Sequence, residues 1–305
     1  MIKLGTRGSP LALAQAHELR AWLVRARALA ADAIEVVVIR TTGDRITDRA
    51  LADAGGKGLF TKELDEALID RRIDIAVHSA KDLPTILPQA VFIAGYLPRE
   101  DARDALVAPR FGSLDQLPSG ARIGTASVRR EAQLRRLRPD IRVQLLRGNI
   151  DTRLRKLAAG ECDATLLALA GLKRLGLAAK ATQILDAATF IPAVGQGAIA
   201  LVVRLGDAAI ASLLAPALDA PTGTALAAER AFLARLDGSC RTPIAGHAVT
   251  EGALLRFRGI ALRQDGTDAV EVARQGLPED AAKLGADAAV ELLARLPADI
   301  LAARG

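Results

Sequence analysis

Short apolar segments alternate with amphipathic helical segments over the first two thirds of the 305-residue chain. Strands joined by helices in this way are typical of the parallel βαβ units of an α/β fold. Ser9 can cap the first helix, and Pro10 can occupy its first position. The pattern predicts helices at 10–27 and 62–71 and strands at 2–4, 36–40, 73–77 and 91–94.

The same alternation begins again near residue 104 and changes near residue 222. The second stretch predicts helices at 128–138 and 152–159 and strands at 122–125, 141–146 and 164–169. A Gly-rich apolar segment at 191–204 lacks the spacing of either phosphate-binding loop and is predicted to be a crossover strand. The last stretch predicts a smaller α+β unit, with a helix at 222–236, several strands within 245–275 and a helix at 278–293.

The basic residues are concentrated in one segment. Between residues 122 and 156 there are 11 Lys or Arg against three acids, a local net charge of +8. The rest of the chain carries 30 basic and 32 acidic residues. Aromatic residues make up only 3%, too few for a platform that stacks single-stranded nucleic acid. The charge pattern therefore favours a polyanionic small molecule as the ligand and argues against nucleic acid.

The two cysteines are too few for a disulfide framework or a closed zinc site, so we expect no metal. Cys240 lies in a loop of small residues before Arg241, which predicts an accessible thiol near a charge that favours thiolate. Such a loop also occurs without any chemical role. Cys162 precedes an apolar run and is expected to be a buried, inert thiol.

No apolar run approaches the roughly 20 residues that a membrane span needs. The first residues form a strand-like segment at 2–4 without a signal-peptide pattern. We therefore expect a cytoplasmic protein that does not bind membranes.

Ligands of α/β sheets bind beyond the carboxyl ends of the strands, and polar residues follow the predicted strands here. Ser127, Arg129 and Arg130 open a helix, which suits a carboxylate or phosphate, although a solvated basic helix face is the alternative. Lys81 and Asp82 are either a catalytic acid and base or a salt bridge in a turn. The residues that follow the strands are Arg7, His78, Ser79, Lys81, Asp82, Thr125, Ser127, Arg147 and Asn149.

Two further polar features have simpler explanations. The Gly-rich segment at 55–60 contains Lys57 and Phe60, but no Ser or Thr follows the lysine. It is therefore predicted to be a mobile lid and not a phosphate loop. His78 is expected to be structural, since no second histidine lies nearby to form a metal site.

Together and in this order, the motifs resemble the hydroxymethylbilane synthase family, also called the porphobilinogen deaminase family. The resemblance covers nearly the whole chain. Its motifs are Arg7-Gly8-Ser9-Pro10, Val77-His78-Ser79-Ala80-Lys81-Asp82, Ser127-Val128-Arg129-Arg130, Val194-Gly195-Gln196-Gly197 and Gly238-Ser239-Cys240. The resemblance implies a transferase of tetrapyrrole biosynthesis, which condenses four porphobilinogen molecules head to tail, releases ammonia at each step and frees linear hydroxymethylbilane by hydrolysis.

The resemblance also implies a role for particular residues. A dipyrromethane cofactor is expected to be bound to Cys240 through a thioether. Asp82 is the expected catalytic residue, whose carboxylate stabilises the positive charge that develops when a pyrrole attacks the azafulvene left by ammonia loss. The other cofactor-binding residues implied are Lys81, Thr125, Ser127, Arg129, Arg130, Arg147 and Gly148. The implied substrate-binding residues are Arg7, Ser9, Arg153, Arg174 and Gln196, and the lid residues are Lys57 and Phe60.

The implied α/β fold has two βαβ domains like those of periplasmic binding proteins, facing each other across a cleft, and a smaller α+β C-terminal domain. We predict that residues 1–98 and 196–215 form the first domain, 99–195 the second and 216–305 the third. The length of the chain agrees with several domains, because one core rarely keeps growing to 305 residues. A monomer is expected.

Two rival functions come from other classes. One is a noncatalytic anion-binding module built like a solute receptor, which would have no need of a cofactor thiol. The other is a nucleic-acid binder that uses the basic segment at 122–156, for which a steep salt dependence of duplex affinity would be the sign.

Overall fold

The computed structural model describes residues 1–45, 58–236, 243–297 and 300. The strands in these residues are β1 Ile2–Thr6, β2 Ile34–Val38, β3 Ile75–Ser79, β4 Val91–Tyr96, β5 Asp104–Val107, β6 Arg122–Thr125, β7 Arg142–Leu145, β8 Ala164–Ala168, β9 Gln183–Ile184, β10 Ile199–Arg204, β11 Ile244–Glu251, β12 Leu254–Leu262 and β13 Ala269–Gly276. The α-helices are α1 Pro10–Arg27, α2 Thr42–Arg45, α3 Lys62–Ile69, α4 Val128–Leu137, α5 Ile150–Ala158, α6 Leu169–Arg174, α7 Ala208–Leu214, α8 Ala220–Arg235 and α9 Ala281–Arg295.

The first sheet has the strand order β2-β1-β3-β10-β4. β1 is parallel to both β2 and β3, whereas β10 returns from far along the chain and is antiparallel to β3 and β4. Successive residues of a strand face opposite sides, so Val77 packs with Leu19 of α1 while Ala76 packs with Leu64 of α3. This mixed sheet is therefore covered by helices on both faces.

The second sheet repeats this plan with the order β7-β6-β8-β5-β9. β6 is parallel to β7 and β8, and β5 is antiparallel to its neighbours. Leu166 packs towards Leu134 of α4, and the next residue, Leu167, packs towards Leu157 of α5. The two sheets thus have matching topologies.

The third sheet is an antiparallel meander of β11, β12 and β13. One face is covered by α8 and α9, where the rings of Phe232 and Phe257 meet with centroids 4.9 Å apart. The two helices approach closely at Gly285, where a Cβ atom would lie 2.0 Å from the carbonyl oxygen of Ala228. On the opposite face, Ile260 packs with residues that include Ala132 of α4, which joins this unit to the second sheet.

The α/β prediction with a smaller α+β C-terminal unit is confirmed. The domain limits at 98/99, 195/196 and 215/216 stay predictions. No helix in the described ranges is long and apolar enough to cross a membrane.

Several predicted strands differ in their limits from the observed ones. The strand predicted at 36–40 is β2, which runs from Ile34 to Val38. β3 runs to Ser79, which pairs with Ile199, instead of ending at residue 77. In the predicted crossover strand, pairing begins only at Ile199. Gly195 and Gly197 have φ values of +74° and +89°, a backbone conformation that turns the chain before the strand can start.

Candidate active site

Residues predicted to bind a ligand in the first unit gather at the carboxyl ends of β1 and β3. Arg7 follows β1, and Ser9 caps α1 by accepting a hydrogen bond from a backbone N–H of the first turn at 3.3 Å. β3 ends at Ser79, and a single 3₁₀ turn carries Lys81 and Asp82. β1 and β3 are parallel neighbours, so these residues meet at one edge of the sheet.

Arg7 lies between Asp82 and Phe60. Its Nη1 atom is 3.6 Å from Asp82 Oδ2, and its guanidinium carbon is 4.0 Å from the centre of the Phe60 ring. The side chains of Arg7 and Asp82 are 21% and 31% exposed, so the carboxylate remains accessible to a ligand. Together with Ser9 these residues line a pocket of about 60 Å³. The structure thus brings together four residues that the sequence assigned to the site.

Three further polar side chains, Gln15, His78 and Ser79, line this pocket. Gln15 of α1 is 3% exposed, and its Nε2 donates to Ser79 Oγ at 2.9 Å. The sequence prediction missed Gln15, although a glutamine on the helix face that carries Leu19 was the available signal. His78 is buried, and its burial, followed by the charge of Arg7, lowers its pKa to about 4. A neutral imidazole at pH 7 agrees with the structural role expected of it.

A second pocket of about 90 Å³ adjoins the first, since Gln15 and Ser79 line both. Its cationic side chains come from both α/β units. Among the described residues they are Lys81, Arg130, Arg153 and Arg174. No acidic side chain lines this pocket in the same part of the chain. The predicted cleft between the two units is therefore strongly cationic.

Burial of the positive charges in this cleft carries a desolvation cost. Burial, followed by the charge of Arg130, lowers the pKa of Lys81 to about 8. Burial, followed by Arg130 and Arg147, lowers the pKa of Arg153 to about 10. Lys81 Nζ donates to Gln196 Oε1 at 3.4 Å. Because a carboxylate placed here offsets these costs, the pocket is suited to an anionic ligand.

Arg147 and Arg174 each keep one buried nitrogen without a partner in the described part of the chain, Nη1 and Nη2 respectively. The remaining contacts of Arg174 join the two α/β units. Its Nε donates to Glu18 Oε2 at 3.0 Å and its Nη1 to the Gly197 carbonyl at 3.0 Å. An unpaired buried donor costs about 1–3 kcal/mol, so both arginines favour an additional acceptor from a ligand.

Arg129 and Arg130 share one fully buried carboxylate, Asp104. Arg129 Nη2 donates to Asp104 Oδ2 at 2.8 Å, and Arg130 Nη2 donates to Asp104 Oδ1 at 2.7 Å. Each arginine is 5% exposed, so the solvated-face alternative is wrong for both, whereas Arg136 on the same helix is exposed. Arg129 also donates to the carbonyl of Ile191, and its contact with a cofactor stays a prediction.

Thr125 and Ser127 form the start of α4. Ser127 Oγ accepts from the Arg130 backbone N–H at 3.4 Å, as the predicted cap should. Thr125 Oγ1 accepts from the Ser127 backbone N–H at 3.2 Å. Both hydroxyl groups hold the helix terminus in place, and their contacts with a cofactor stay predictions.

Gln196 and Gly148 also support the cationic side chains. Gln196 is 1% exposed and donates to Asp104 Oδ1 at 3.1 Å. Gly148 has a φ of +118°, and its carbonyl accepts from Arg153 Nε at 2.9 Å. Their predicted contacts with substrate and cofactor are not tested by this geometry.

Two residues of the predicted site, Lys57 and Cys240, lie outside the described residues. Cys162 is 1% exposed, and burial raises the pKa of its thiol, as expected of an inert cysteine. Within the described ranges, no group of three or more His, Cys, Asp or Glu residues is arranged to hold a metal ion.

Asp104 stabilises the fold through its charge. Burial raises its pKa, but the attraction of Arg129 and then of Arg130 outweighs burial, and the pKa falls to about 2. The folded value lies below the ordinary value of 3.8. The stabilisation is therefore present at neutral pH and is lost as the pH falls from about 4 towards 2.

Replacing Asp104 with Asn should lower the free energy of unfolding by roughly 3 kcal/mol at pH 7, because two buried guanidinium groups lose their counter-charge. Asp163→Asn is the matched control. Asp163 also pairs with two arginines, Arg110 and Arg122, but these are 64% and 45% exposed, so the loss should stay below about 1 kcal/mol. Urea denaturation measures both, and equal losses would contradict the role given to burial.

The fold and the geometry of the site first define a class of protein. Two α/β units meet at a cationic cleft, and a carboxylate stands at the end of a parallel strand beside it. This is an α/β protein that is built to bind a polyanionic small molecule next to an acid.

Comparison with known proteins gives the family. The model described as porphobilinogen deaminase, dipyromethane cofactor binding domain, matches residues 2–212, and the model of the porphobilinogen deaminase C-terminal domain matches residues 224–294. The porphobilinogen deaminase of Nitrobacter winogradskyi is 58% identical over 292 residues, which cover 96% of this chain and 92% of that protein. The one from Nitrobacter hamburgensis is 57% identical over the same shares. The chain belongs to the porphobilinogen deaminase family, which confirms the predicted resemblance.

Among solved structures, the VFT2 domain of Bordetella pertussis BvgS matches with a TM-score of 0.41 and 16% identity, over 71% of this chain and 85% of that one.

Proposed function

We propose that this chain is a hydroxymethylbilane synthase. It condenses four porphobilinogen molecules head to tail, releases one ammonia at each step and frees linear hydroxymethylbilane by hydrolysis. The observation that carries the proposal is the Asp82 carboxylate beside Arg7, at the mouth of a cleft lined by cations from both units. Family membership supports the same reaction.

The described residues fit the family's dipyrromethane cofactor. That group carries acetate and propionate carboxylates, and the cleft offers an unpaired donor on Arg174 and the buried charge of Lys81. Arg147, whose charge acts on the cleft residue Arg153, also has one unpaired buried nitrogen. When bound, the cofactor supplies the terminal pyrrole carbon to which the first substrate ring is joined. In this proposal Cys240 holds it through a thioether. The residues that hold its carboxylates and neighbouring atoms are Lys81, Thr125, Ser127, Arg129, Arg130, Arg147 and Gly148.

Asp82 is proposed as the catalytic residue. Its carboxylate accepts hydrogen bonds from pyrrole N–H groups and stabilises the positive charge that ammonia loss and ring attack create. It also takes part in moving the proton that the attacking carbon must lose. Arg7 orients the carboxylate from 3.6 Å, and its stacking on Phe60 restricts its own rotamers.

Substrate carboxylates are proposed to bind Arg7, Ser9, Arg153 and Arg174, with Gln196 holding Lys81 in place. Phe60 is proposed to act with Lys57 as part of a lid that excludes water from the smaller pocket. Phe60 already forms part of that pocket's wall, which supports the assignment.

The proposal includes three finer points that the resemblance implies. The chain divides at the predicted limits into domains 1–98 with 196–215, 99–195 and 216–305. It acts as a monomer, and it works in the cytoplasm on a small molecule without nucleic acid or membrane. Sedimentation of the purified protein tests whether it is a monomer, and limited proteolysis tests the domain limits.

The direct test is incubation of the purified protein with porphobilinogen. We expect one ammonia for each porphobilinogen consumed and a linear tetrapyrrole in the product mass spectrum. An anion-binding receptor would bind porphobilinogen without releasing ammonia. Binding without ammonia release would therefore overturn the proposed function.

A further inference from the structure

Helix α8 connects parts of the molecule that must keep fixed relative positions for the proposed chemistry. It packs on α9 and on the third sheet, and it ends at Arg235, five residues before Cys240 in the sequence. Two adjacent charged residues in its last turns, Glu229 and Arg230, reach outside this unit. The reaction steps described above use neither of them.

Glu229 fixes α8 to the segments that cross between the first two sheets. It is 0% exposed, and its carboxylate accepts two hydrogen bonds from Arg99, at 2.6 and 3.1 Å. It also accepts from the backbone N–H groups of Gly195 and Ala248, each at 2.8 Å. A buried carboxylate with four donors has little freedom to move, so α8 has a defined position relative to both crossing segments.

Arg230, the next residue, reaches the loop that carries Asp82. Its Nη2 donates to the carbonyl oxygens of Pro84 at 2.9 Å and Thr85 at 3.2 Å. These carbonyls follow Asp82 by two and three residues. On the other side, the backbone N–H of Leu83 donates to the Ala80 carbonyl within the 3₁₀ turn. The loop is therefore held by its own turn at one end and by α8 at the other.

We propose that Arg230 is a positioning residue for the condensation reaction, which holds the Asp82 loop at a fixed distance from the helix that leads to Cys240. The inference rests on the proposed function. Its physical basis is that a carboxylate acts on a reacting ring only when the two are aligned, and a misplacement of about 1 Å can cost on the order of 10²-fold in rate. Glu229 holds α8 in place, so that Arg230 acts from a fixed position.

The test compares Arg230→Met with Arg230→Lys in cofactor-loaded protein. The methionine removes both hydrogen bonds but keeps an apolar stem, and we expect kcat to fall about 10-fold with KM changed less than about 2-fold. The lysine keeps a charge and one donor and should restore kcat to within about 3-fold. The intact mass should still show the cofactor adduct in both. Arg256→Met is the control, because Arg256 lies in the third unit, is 57% exposed and pairs with the exposed Glu251.

A double variant separates positioning from general packing. Because Asp82→Glu already displaces the carboxylate by about one methylene, Arg230→Met should cost clearly less in that background than in the wild type if Arg230 acts through Asp82. Additive losses, or a loss in KM alone, would overturn the inference. If the wild-type protein releases ammonia and Arg230→Met is equally active, only the inference is overturned. Wild-type protein that releases none would overturn the proposed function, and the inference with it.

Discussion

Asp82→Asn is expected to retain the covalent cofactor while turnover falls by about 10²-fold or more. The amide keeps the shape and one acceptor oxygen of the carboxylate but removes the negative charge that stabilises the cationic ring. It also removes the negative charge that lies 3.6 Å from the Arg7 guanidinium. Single-turnover ammonia release in cofactor-loaded protein measures the effect, since it isolates the chemical steps from product release.

Two comparisons make this prediction specific. Asp82→Glu keeps the charge and shifts it by about one methylene, so it should retain more activity than the asparagine variant. Asp268→Asn removes an exposed carboxylate that pairs with Arg263 in the third unit, and it should leave ammonia release within about 2-fold. Near-normal release by Asp82→Asn would eliminate Asp82 as the catalytic carboxylate.

The part of the site that the sequence predicted well depends on local rules. Arg7 and Asp82 each follow a strand of the first sheet, and adjacent parallel strands end at the same edge. Ser9 precedes a proline at a helix start, which is a local capping signal. The proximity of these residues therefore follows from the βαβ pattern without knowledge of the rest of the fold.

The part that could not be predicted depends on partners that are distant in sequence. The basic segment at 122–156 shows an excess of charge, but Arg129 and Arg130 both pair with Asp104, which lies outside it. Glu229 pairs with Arg99, which is 130 residues away in the sequence. A charge count cannot reveal such pairs, because only the tertiary fold decides which arginines are buried against an acid and which can still bind one.

The start of the crossover strand was misplaced because glycine, not hydrophobicity, decides the path of the chain there. The apolar run at 191–204 reads as one continuous strand, yet Gly195 and Gly197 take positive φ values and turn it. A Cβ atom at Gly197 would lie 2.2 Å from the Glu100 carbonyl oxygen, so the segment also needs glycine for a close backbone contact. An apolar pattern alone carries no information on either requirement.

Cys240→Ser is expected to abolish the covalent cofactor altogether, and activity with it. Serine keeps nearly the size and polarity of cysteine but lacks the sulfur that forms the thioether. The intact mass of the wild-type protein should exceed the sequence mass by one dipyrromethane unit, whereas the serine variant should show the sequence mass alone. The prediction rests on the family relationship and on the sequence context of Cys240, which precedes Arg241.

Cys162→Ser is the matched control because it makes the same atomic change at the other cysteine of the chain. Cys162 is 1% exposed, and burial raises the pKa of its thiol, which leaves little thiolate at neutral pH to attack an electrophile. Its sulfur lies so close to Gly124 that a Cβ atom there would be 3.1 Å away, so no room remains for a pyrrole beside it. Cys162→Ser should therefore keep the full adduct mass, at a modest cost in stability from a buried hydroxyl. An adduct that persists in Cys240→Ser and disappears in Cys162→Ser would reverse the assignment, and would require the core of the second unit to open for the cofactor to enter.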